Sequence, residues 1–315
     1  MTIKSSLSWA GRFAITLLGV SFLTFTLTSL IPGDPAEAML SAMGNSPPPE
    51  VLAKARADLG LDKPFLERYL SWLSRAVRMD FGVSYFSKNT VLEDLADKFP
   101  ATLKLAVLSL SLTVVISSIT GLASAVRKGG VLDAVVRGIS FTGISLPSFL
   151  VGLLLLYVVS LKFQLLPVVS RTASGKALIL PVATLTFAMS VKYTRQVRNL
   201  VLEELGKDYV LGARARGLSE TRILVFHVLP NVLLPLVTLL GLSFGSLLGG
   251  TALVEVIFSW PGLGNHAIAS ITRRDYPVVQ AYVLWLSSVY MFINLAVDVS
   301  YRLLDPRVRA GREAS

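Results

Sequence analysis

A chain of 315 residues that is 53% hydrophobic and only 16% charged lies far from the composition of a soluble domain. Its apolar residues come in blocks, which points to membrane spans rather than one large core. The net charge of +10 gathers beside those blocks, where positive charge sets membrane topology, so it does not indicate nucleic acid. With no cysteine and only His227 and His266, disulfides and thiolate metal sites are excluded and a His-rich metal cage is disfavoured.

The first element is Trp9–Ile31, apolar apart from Arg12 and preceded by Lys4 with no acidic residue. It has the full spanning length of about 20 residues. It ends in Ile31-Pro32-Gly33-Asp34-Pro35 without the small-residue site of a cleaved signal. A retained first span with a cytoplasmic N-terminus is expected. Asp34–Pro100 is a long polar segment with three helical pieces. Pro49–Leu59 stops before Gly60. Lys63–Met79 places Leu66, Tyr69, Leu70, Leu73 and Val77 on one face. Asn89–Phe99 is short and amphipathic. Segments of this length cross membranes largely regardless of charge, so this one is placed outside.

Leu105–Val126 is uncharged and spans. Arg127, Lys128 and Arg137 mark the short connection after it as cytoplasmic. Ile139–Leu161 is the third span, with Pro147 expected to kink it. Lys162–Lys176 is the outer connection. Ala177–Val197 is the fourth span, with Lys192 near its inner end. Val232–Phe258 is the fifth, with small residues at Gly241, Gly245 and Gly249 that let helices approach and with Glu255 near its outer end. Trp260–Gly264 is a turn, and Asn265–Arg274 a short outer helix. Pro277–Tyr301 is the sixth span, with Asp298 toward its inner end and a tail carrying Arg302, Arg307, Arg309 and Arg312. Asp298 is expected to pair with an Arg there, His227 to pack at an interface, and His266 to be a solvated loop residue.

Between the fourth and fifth spans lies Glu203–Pro230, the longest polar segment in the second half of the chain. Gly217 suits the left-handed position just past a helix end, with Leu218 folding back toward Ala213, and Ser219 is a good N-cap. Two short helices are expected, about Glu203–Arg216 and Ser219–Leu229, with Pro230 in the turn to the next span. A helix–Gly–helix unit bearing Arg214, Arg216 and Arg222 has the outline of a DNA reader. Its apolar neighbours, Leu178–Val191 and Val232–Phe258, argue against that. A bland connector between spans is the alternative.

No catalytic constellation is present. Gly175-Lys176 and Gly206-Lys207 lack the upstream Gly and the following Ser or Thr of a phosphate loop, and no nucleophile turn occurs.

The Glu203–Pro230 stretch resembles the cytoplasmic coupling loop of permease subunits in binding-protein-dependent ABC importers. Leu211, Gly212, Ala213, Gly217, His227, Leu229 and Pro230 occupy the positions of that loop's pattern. Leu211 stands where the general pattern has Glu, and His227 where it has Ile. Asp208-Tyr209-Val210 and Ala213-Arg214-Ala215-Arg216-Gly217-Leu218-Ser219 are instead similar to the peptide/nickel branch. So are Leu59–Pro64, Asp80–Ser84, Phe99–Leu103, Val254-Glu255 through Gly264, and Arg274-Asp275-Tyr276-Pro277. The resemblance covers nearly the whole chain.

It implies an all-α polytopic membrane protein with six transmembrane helices and a type I ABC importer permease core. Residues 1–100 would form the N-terminal helix and long extracytoplasmic segment, and 101–315 the five-helix core, with the coupling loop at about 199–231. The implied partners are the lipid bilayer, a homologous second permease subunit, two ATPase subunits and an extracytoplasmic solute-binding protein. No nucleic acid and no cofactor of the chain's own are implied, since ATP and Mg belong to the ATPase subunits, and the chain is not itself an enzyme. Ala213–Ser219 would couple to an ATPase. Glu255, Pro261, Gly262 and Gly264 are gate or pathway candidates. The outer segment would dock the binding protein or merely shield helix ends. The compartment is the bacterial inner membrane with both termini cytoplasmic, and the cargo is nickel, a metal chelate or a short peptide. A secondary transporter would need a mid-membrane ion site and repeats, neither of which is visible. Nothing speaks for an assembly subunit without transport.

Overall fold

Hydrocarbon offers no partner for a backbone N–H or C=O, so a chain this apolar is driven to helices, which satisfy those groups within one segment. A computed structural model describes residues 3–41, 48–169, 173 and 175–304. Among them the regular elements are helical, with one isolated antiparallel bridge between Val83 and Thr90. The helices are α1 (Ile3–Leu30), α2 (Pro35–Ser41), α3 (Pro49–Asp58), α4 (Phe65–Ala76), α5 (Val91–Val126), α6 (Val131–Ser145) and α7 (Ser148–Leu155). They continue as α8 (Ile179–Leu205), α9 (Asp208–Ala215), α10 (Glu220–Ile223), α11 (Leu229–Gly250), α12 (Ala252–Ile257), α13 (Leu263–Arg273) and α14 (Tyr276–Leu304). Four stretches are long and apolar enough to cross a membrane: Trp9–Leu30, Val91–Val126, Gly175–Leu205 and Tyr276–Ser300. Two bent pairs, Val131–Ser145 with Ser148–Lys162 and Glu220–Leu233 with Pro235–Gly249, raise the number to six if each is one span.

The chain divides into two compact units, Met1–Thr102 with Pro261–Met291, and Leu103–Trp260 with Phe292–Ser315. The first is organised on aromatic packing. Phe25 of α1 lies 5.5 Å from the Tyr69 ring and 5.6 Å from Trp72. Val91 and Leu95 of α5, Leu263 of α13 and Val278 of α14 complete this core. The face of α4 differs from the expected one. Tyr69, Trp72 and Ala76 are buried, whereas Leu66, Leu70 and Val77 are 60%, 54% and 77% exposed. Ring area outweighs leucine count, and the buried stripe is turned by roughly 80° at 3.6 residues per turn.

Two prolines behave differently from the expectation. Asn89–Phe99 and Leu105–Val126 are not separate. Thr90 and Glu93 form a reciprocal capping box, 3.3 Å in each direction, and α5 runs on through Pro100. There proline deletes one bond to the Ala96 carbonyl, a local loss that a long helix in apolar surroundings absorbs. At Pro147 the opposite occurs. Leu146, forced out of the helical region as the residue before proline, is extended at φ −88° and ψ 123°, and the third span breaks by 102° instead of kinking.

The second unit packs α8 against α6, α7 and α11. The basic tail expected at Arg307, Arg309 and Arg312 lies outside the described residues, as do the side chain of Arg302 and hence the expected pairing of Asp298.

Candidate functional site

The polar elbow between α8 and α11 is built by local rules. Gly206 ends α8 and Lys207 is extended at φ −80° and ψ 151°, so Glu203 belongs to α8 and the first elbow helix starts only at Asp208. At its other end Gly217 takes φ +77°, and two bonds close the helix. The Leu218 N–H donates to the Ala213 carbonyl at 3.3 Å and the Gly217 N–H to the Arg214 carbonyl at 2.9 Å, the paired pattern of a Schellman end. Ser219 then caps α10, its Oγ accepting from the Arg222 N–H at 3.4 Å. Pro230 is not in a turn. A π-helical turn, Leu224–Val228, joins α10 to α11 without a break. Its widened ladder accommodates the missing proline N–H.

The elbow has an anchored side and a presented side. Val210, Ala213, Ile223 and Val228 are at most 1% exposed and pack on Val197 and Val201 of α8 and Val232 and Leu236 of α11. Each such valine or isoleucine contributes about 1.5–3 kcal/mol. A polar hinge sits beneath. Glu204, 7% exposed, accepts from Lys207 Nζ at 2.5 Å and from the Tyr209 hydroxyl at 2.9 Å. Asn231 Nδ2 donates to the His227 carbonyl at 2.9 Å. The Glu204 carboxylate holds the Lys207 ammonium above its ordinary pKa. On the outer side Arg214 reaches across the bend to Glu220 with two bonds, Nε to Oε1 at 2.7 Å and Nη2 to Oε2 at 3.0 Å. Leu211 and Phe226 are 56% and 69% exposed there.

Of the sequence-nominated coupling residues, Ala213 is buried and Leu218 half-buried against the same core, while Arg214, Ala215, Arg216, Gly217 and Ser219 are exposed. His227 is half-buried.

In the same unit Glu255 lies on α12, fully buried, accepting from Thr251 Oγ1 at 3.1 Å. The Trp260 N–H donates to its carbonyl at 2.7 Å. Sequence reasoning missed a second buried carboxylate. Asp133, 1% exposed, accepts from Arg198 Nε at 2.6 Å and Nη2 at 2.9 Å, from Ser124 Oγ at 2.5 Å and from the Gly129 N–H at 3.0 Å. It clasps α8 to the α5–α6 connection. Its only sequence signal was an acid amid Arg127, Lys128 and Arg137.

In the first unit Gly262 and Gly264 are buried and Pro261 half-buried at the start of α13. The Leu263 N–H donates to Thr102 Oγ1 at 2.8 Å. Blocks distant in sequence meet here. Asp275 accepts from Ser84 Oγ at 2.6 Å and the Tyr85 N–H at 3.2 Å. Burial pushes its carboxyl above the usual range, and pushes the Tyr85 phenol to about 12 with help from the Asp275 charge. Gly33, at φ +121°, lies against the Arg274 guanidinium, with which a Cβ there would clash. His266 is not a solvated loop residue. It lies on α13, its Nε2 4.0 Å from Asp94 Oδ2, and burial holds its pKa below the ordinary value.

The chain is similar to known proteins. Residues 114–310 match the model of the binding-protein-dependent transport system inner membrane component, and residues 9–106 that of the N-terminal part of such membrane components. The chain is 36% identical over 324 aligned positions to the dipeptide transport system permease protein DppB of Escherichia coli K12, covering 93% of this chain and 95% of the relative. It is 38% identical over 294 positions to the glutathione transport system permease protein GsiC of the same strain, with the same coverage. Among solved structures, an inward-facing MetNI methionine ABC transporter chain superposes with TM-score 0.55 at 21% identity, over 67% of this chain and 96% of that one, a likeness of fold. The elbow, the apolar helices and these matches together place the chain in the family of binding-protein-dependent inner-membrane transport components, as a permease subunit of the peptide/nickel class of ABC importers.

Proposed function

We propose that this permease forms half of a translocation pathway for short peptides and that Asp208–Val228 is its ATPase-docking elbow. The observation that carries the reading is the two-sided elbow. An apolar underside ties it to α8 and α11, and an outer side displays Leu211, Arg216 and the Arg214–Glu220 pair. An element fixed to the spans on one side and exposed on the other can pass a partner's movement into the spans. The relatives named above are described for a dipeptide and for glutathione, both short peptides, and this favours a peptide over nickel or a metal chelate.

The remaining parts of the proposal rest on the family the chain belongs to. A homologous permease supplies the other half. Two ATPase subunits bind ATP and Mg and seat the two elbows, and a solute-binding protein delivers cargo outside. Both termini are cytoplasmic in the bacterial inner membrane. Transport requires ATP and the loaded binding protein to favour different orientations of the pathway, a coupling free energy between distant sites. Glu255 and, separately, Pro261, Gly262 and Gly264 serve the gate or the pathway. Ala213 and Leu218 anchor the elbow, while Arg214, Ala215, Arg216, Gly217 and Ser219 face the ATPase.

The test uses cysteine at Arg216 and, separately, at Ser87. Arg216→Cys should cross-link to an ATPase subunit and be labelled only after permeabilisation, whereas Ser87→Cys should be labelled from outside. Uptake of a labelled dipeptide should require the whole complex. Labelling of both positions from one side, or no cross-link from any exposed elbow position, overturns the docking assignment. Nickel uptake without dipeptide uptake overturns the cargo.

A further inference from the structure

The first unit contains a cavity of about 950 Å³ that neither the elbow nor the gate candidates use. Its wall begins at the outer turns of α1, with Phe25, Thr28 and Ile31, where the apolar helix gives way to polar chain. Arg68 and Arg75 of α4 also line it. They are seven residues apart, hence on one face and separated by two turns, about 10.5 Å. Arg68 is half-buried with its guanidinium 5.9 Å over the Phe25 ring. Among the described residues neither arginine has a carboxylate within ion-pair distance.

The other charges of the lining do not answer these two. Asp34 is taken by Arg56 at 2.5 Å and by the Ala36 N–H at 3.0 Å. Lys63 is paired with Glu67 at 2.8 Å. Asp58 and Lys88 are exposed, as is Arg75, and neither Asp58 nor Lys88 lies within ion-pair distance of Arg68 or Arg75 among the described residues. Hydroxyl donors complete the wall. The Tyr85 phenol, with a pKa pushed to about 12, stays protonated and able to donate. Tyr276 is 6% exposed, and its hydroxyl is buried with no hydrogen-bond partner among the described residues. A buried unpaired hydroxyl is costly unless something completes it.

We infer that this cavity is a binding site for a phosphate-class oxyanion, held by Arg68 and Arg75 with Tyr85 and Tyr276 as neutral donors. Guanidinium forks match phosphate oxygens, on a free ion or on a phospholipid headgroup alike. The phosphate can be a phosphodiester on an anionic lipid or a free ion, and the site's position at the end of α1 gives the lipid a short path in.

The full chain in nanodiscs of phosphatidylglycerol and phosphatidylcholine is released into detergent, and retained lipid is counted by native mass spectrometry. Phosphatidylglycerol should stay bound, and its occupancy should fall about thirtyfold in the Arg68→Gln, Arg75→Gln double variant. Tyr276→Phe removes one oxygen without changing shape. It should weaken retention severalfold while the melting temperature holds, which separates binding from misfolding. Millimolar inorganic phosphate that displaces the lipid identifies the free ion as a ligand of the same site. Lipid that resists displacement identifies the headgroup as the ligand. Equal retention by wild type and both variants overturns the site. Displacement by dialanine but not by phosphate overturns the phosphate assignment in favour of a carboxylate.

Discussion

Gly217→Val separates what the elbow does for its own chain from what it does for a partner. Gly217 has φ +77°, and a Cβ built there meets nothing within 4 Å. Inside this chain the substitution therefore costs only left-handed backbone strain, about 1–2 kcal/mol for a residue with a Cβ. Against it stands the underside, where Val210, Ile223 and Val228 are fully buried, each contributing about 1.5–3 kcal/mol. The elbow should stay seated and the spans should insert normally. Any larger effect has to come from something pressed against position 217 from outside. The expected phenotype is loss of coupling: ATPase subunits retained poorly, or ATP hydrolysis no longer stimulated by the binding protein, with peptide uptake lost in either case.

A companion variant divides the two causes. Asn adopts the left-handed region far more readily than Val but carries comparable bulk. Failure of both Gly217→Val and Gly217→Asn assigns the defect to a partner surface. Failure of Val alone assigns it to the backbone. Subunit retention, stimulated ATPase activity and uptake are read in the same membranes. Normal values of all three for Gly217→Val would refute the elbow as a coupling element.

Three further outcomes are expected. Arg214→Glu places two acids across the bend in place of the two-bond pair with Glu220 and should reduce ATPase retention. Adding Glu220→Arg should restore it, and a pull-down that shows no rescue sinks the idea that the pair shapes the elbow. Glu255→Gln keeps an oxygen for the Thr251 hydroxyl, so complex yield should hold while uptake per complex falls; a variant that fails to assemble makes Glu255 structural instead. The half-buried His266 ring, with its pKa below the ordinary value, favours the neutral form in the folded chain. That stability is present in full above the unfolded His pKa of about 6.5 and is lost as pH falls from there through the lower folded pKa. The solubilised wild-type chain should lose melting temperature on acidification faster than His266→Gln, and parallel curves would disprove the assignment.

How much was legible depended on range. The end of α9 and the start of α10 were readable because caps are local chemistry: a left-handed Gly217, a folded-back Leu218, a Ser219 oxygen three residues from its donor. The α4 face was misjudged because periodicity counts apolar residues and does not know that Phe25, some 40 residues away, offers an aromatic surface to Tyr69 and Trp72. The clasp of Asp133 by Arg198 spans 65 residues, and no spacing rule reaches that far. Pro100 and Pro147 show the same limit. Pro100 follows an amphipathic run and Pro147 lies in an apolar one, and the pre-proline restriction acts at both, yet the helix runs through at the first and turns by 102° at the second.

The coupling stretch divides where sequence treats it as one motif. Ala213 is 1% exposed and Arg214 beside it is open to solvent, so neighbouring substitutions act by different routes. At position 213 the side chain points at Val210, Ile223 and the valines of α8. A leucine there overpacks the underside, at about 1–3 kcal/mol, and lifts the elbow from the spans without touching any partner. At 214 or 216 a change leaves the underside intact and alters the outer side, at 214 including the pair with Glu220. Both lose transport, yet they differ in what survives. An unseated elbow can still hold an ATPase subunit while failing to move the spans, whereas an altered outer face loses the subunit itself. On the proposed docking of an ATPase at this elbow, the small residue of the motif is the part that would carry movement inward, and the charged residues the part that would select what delivers it.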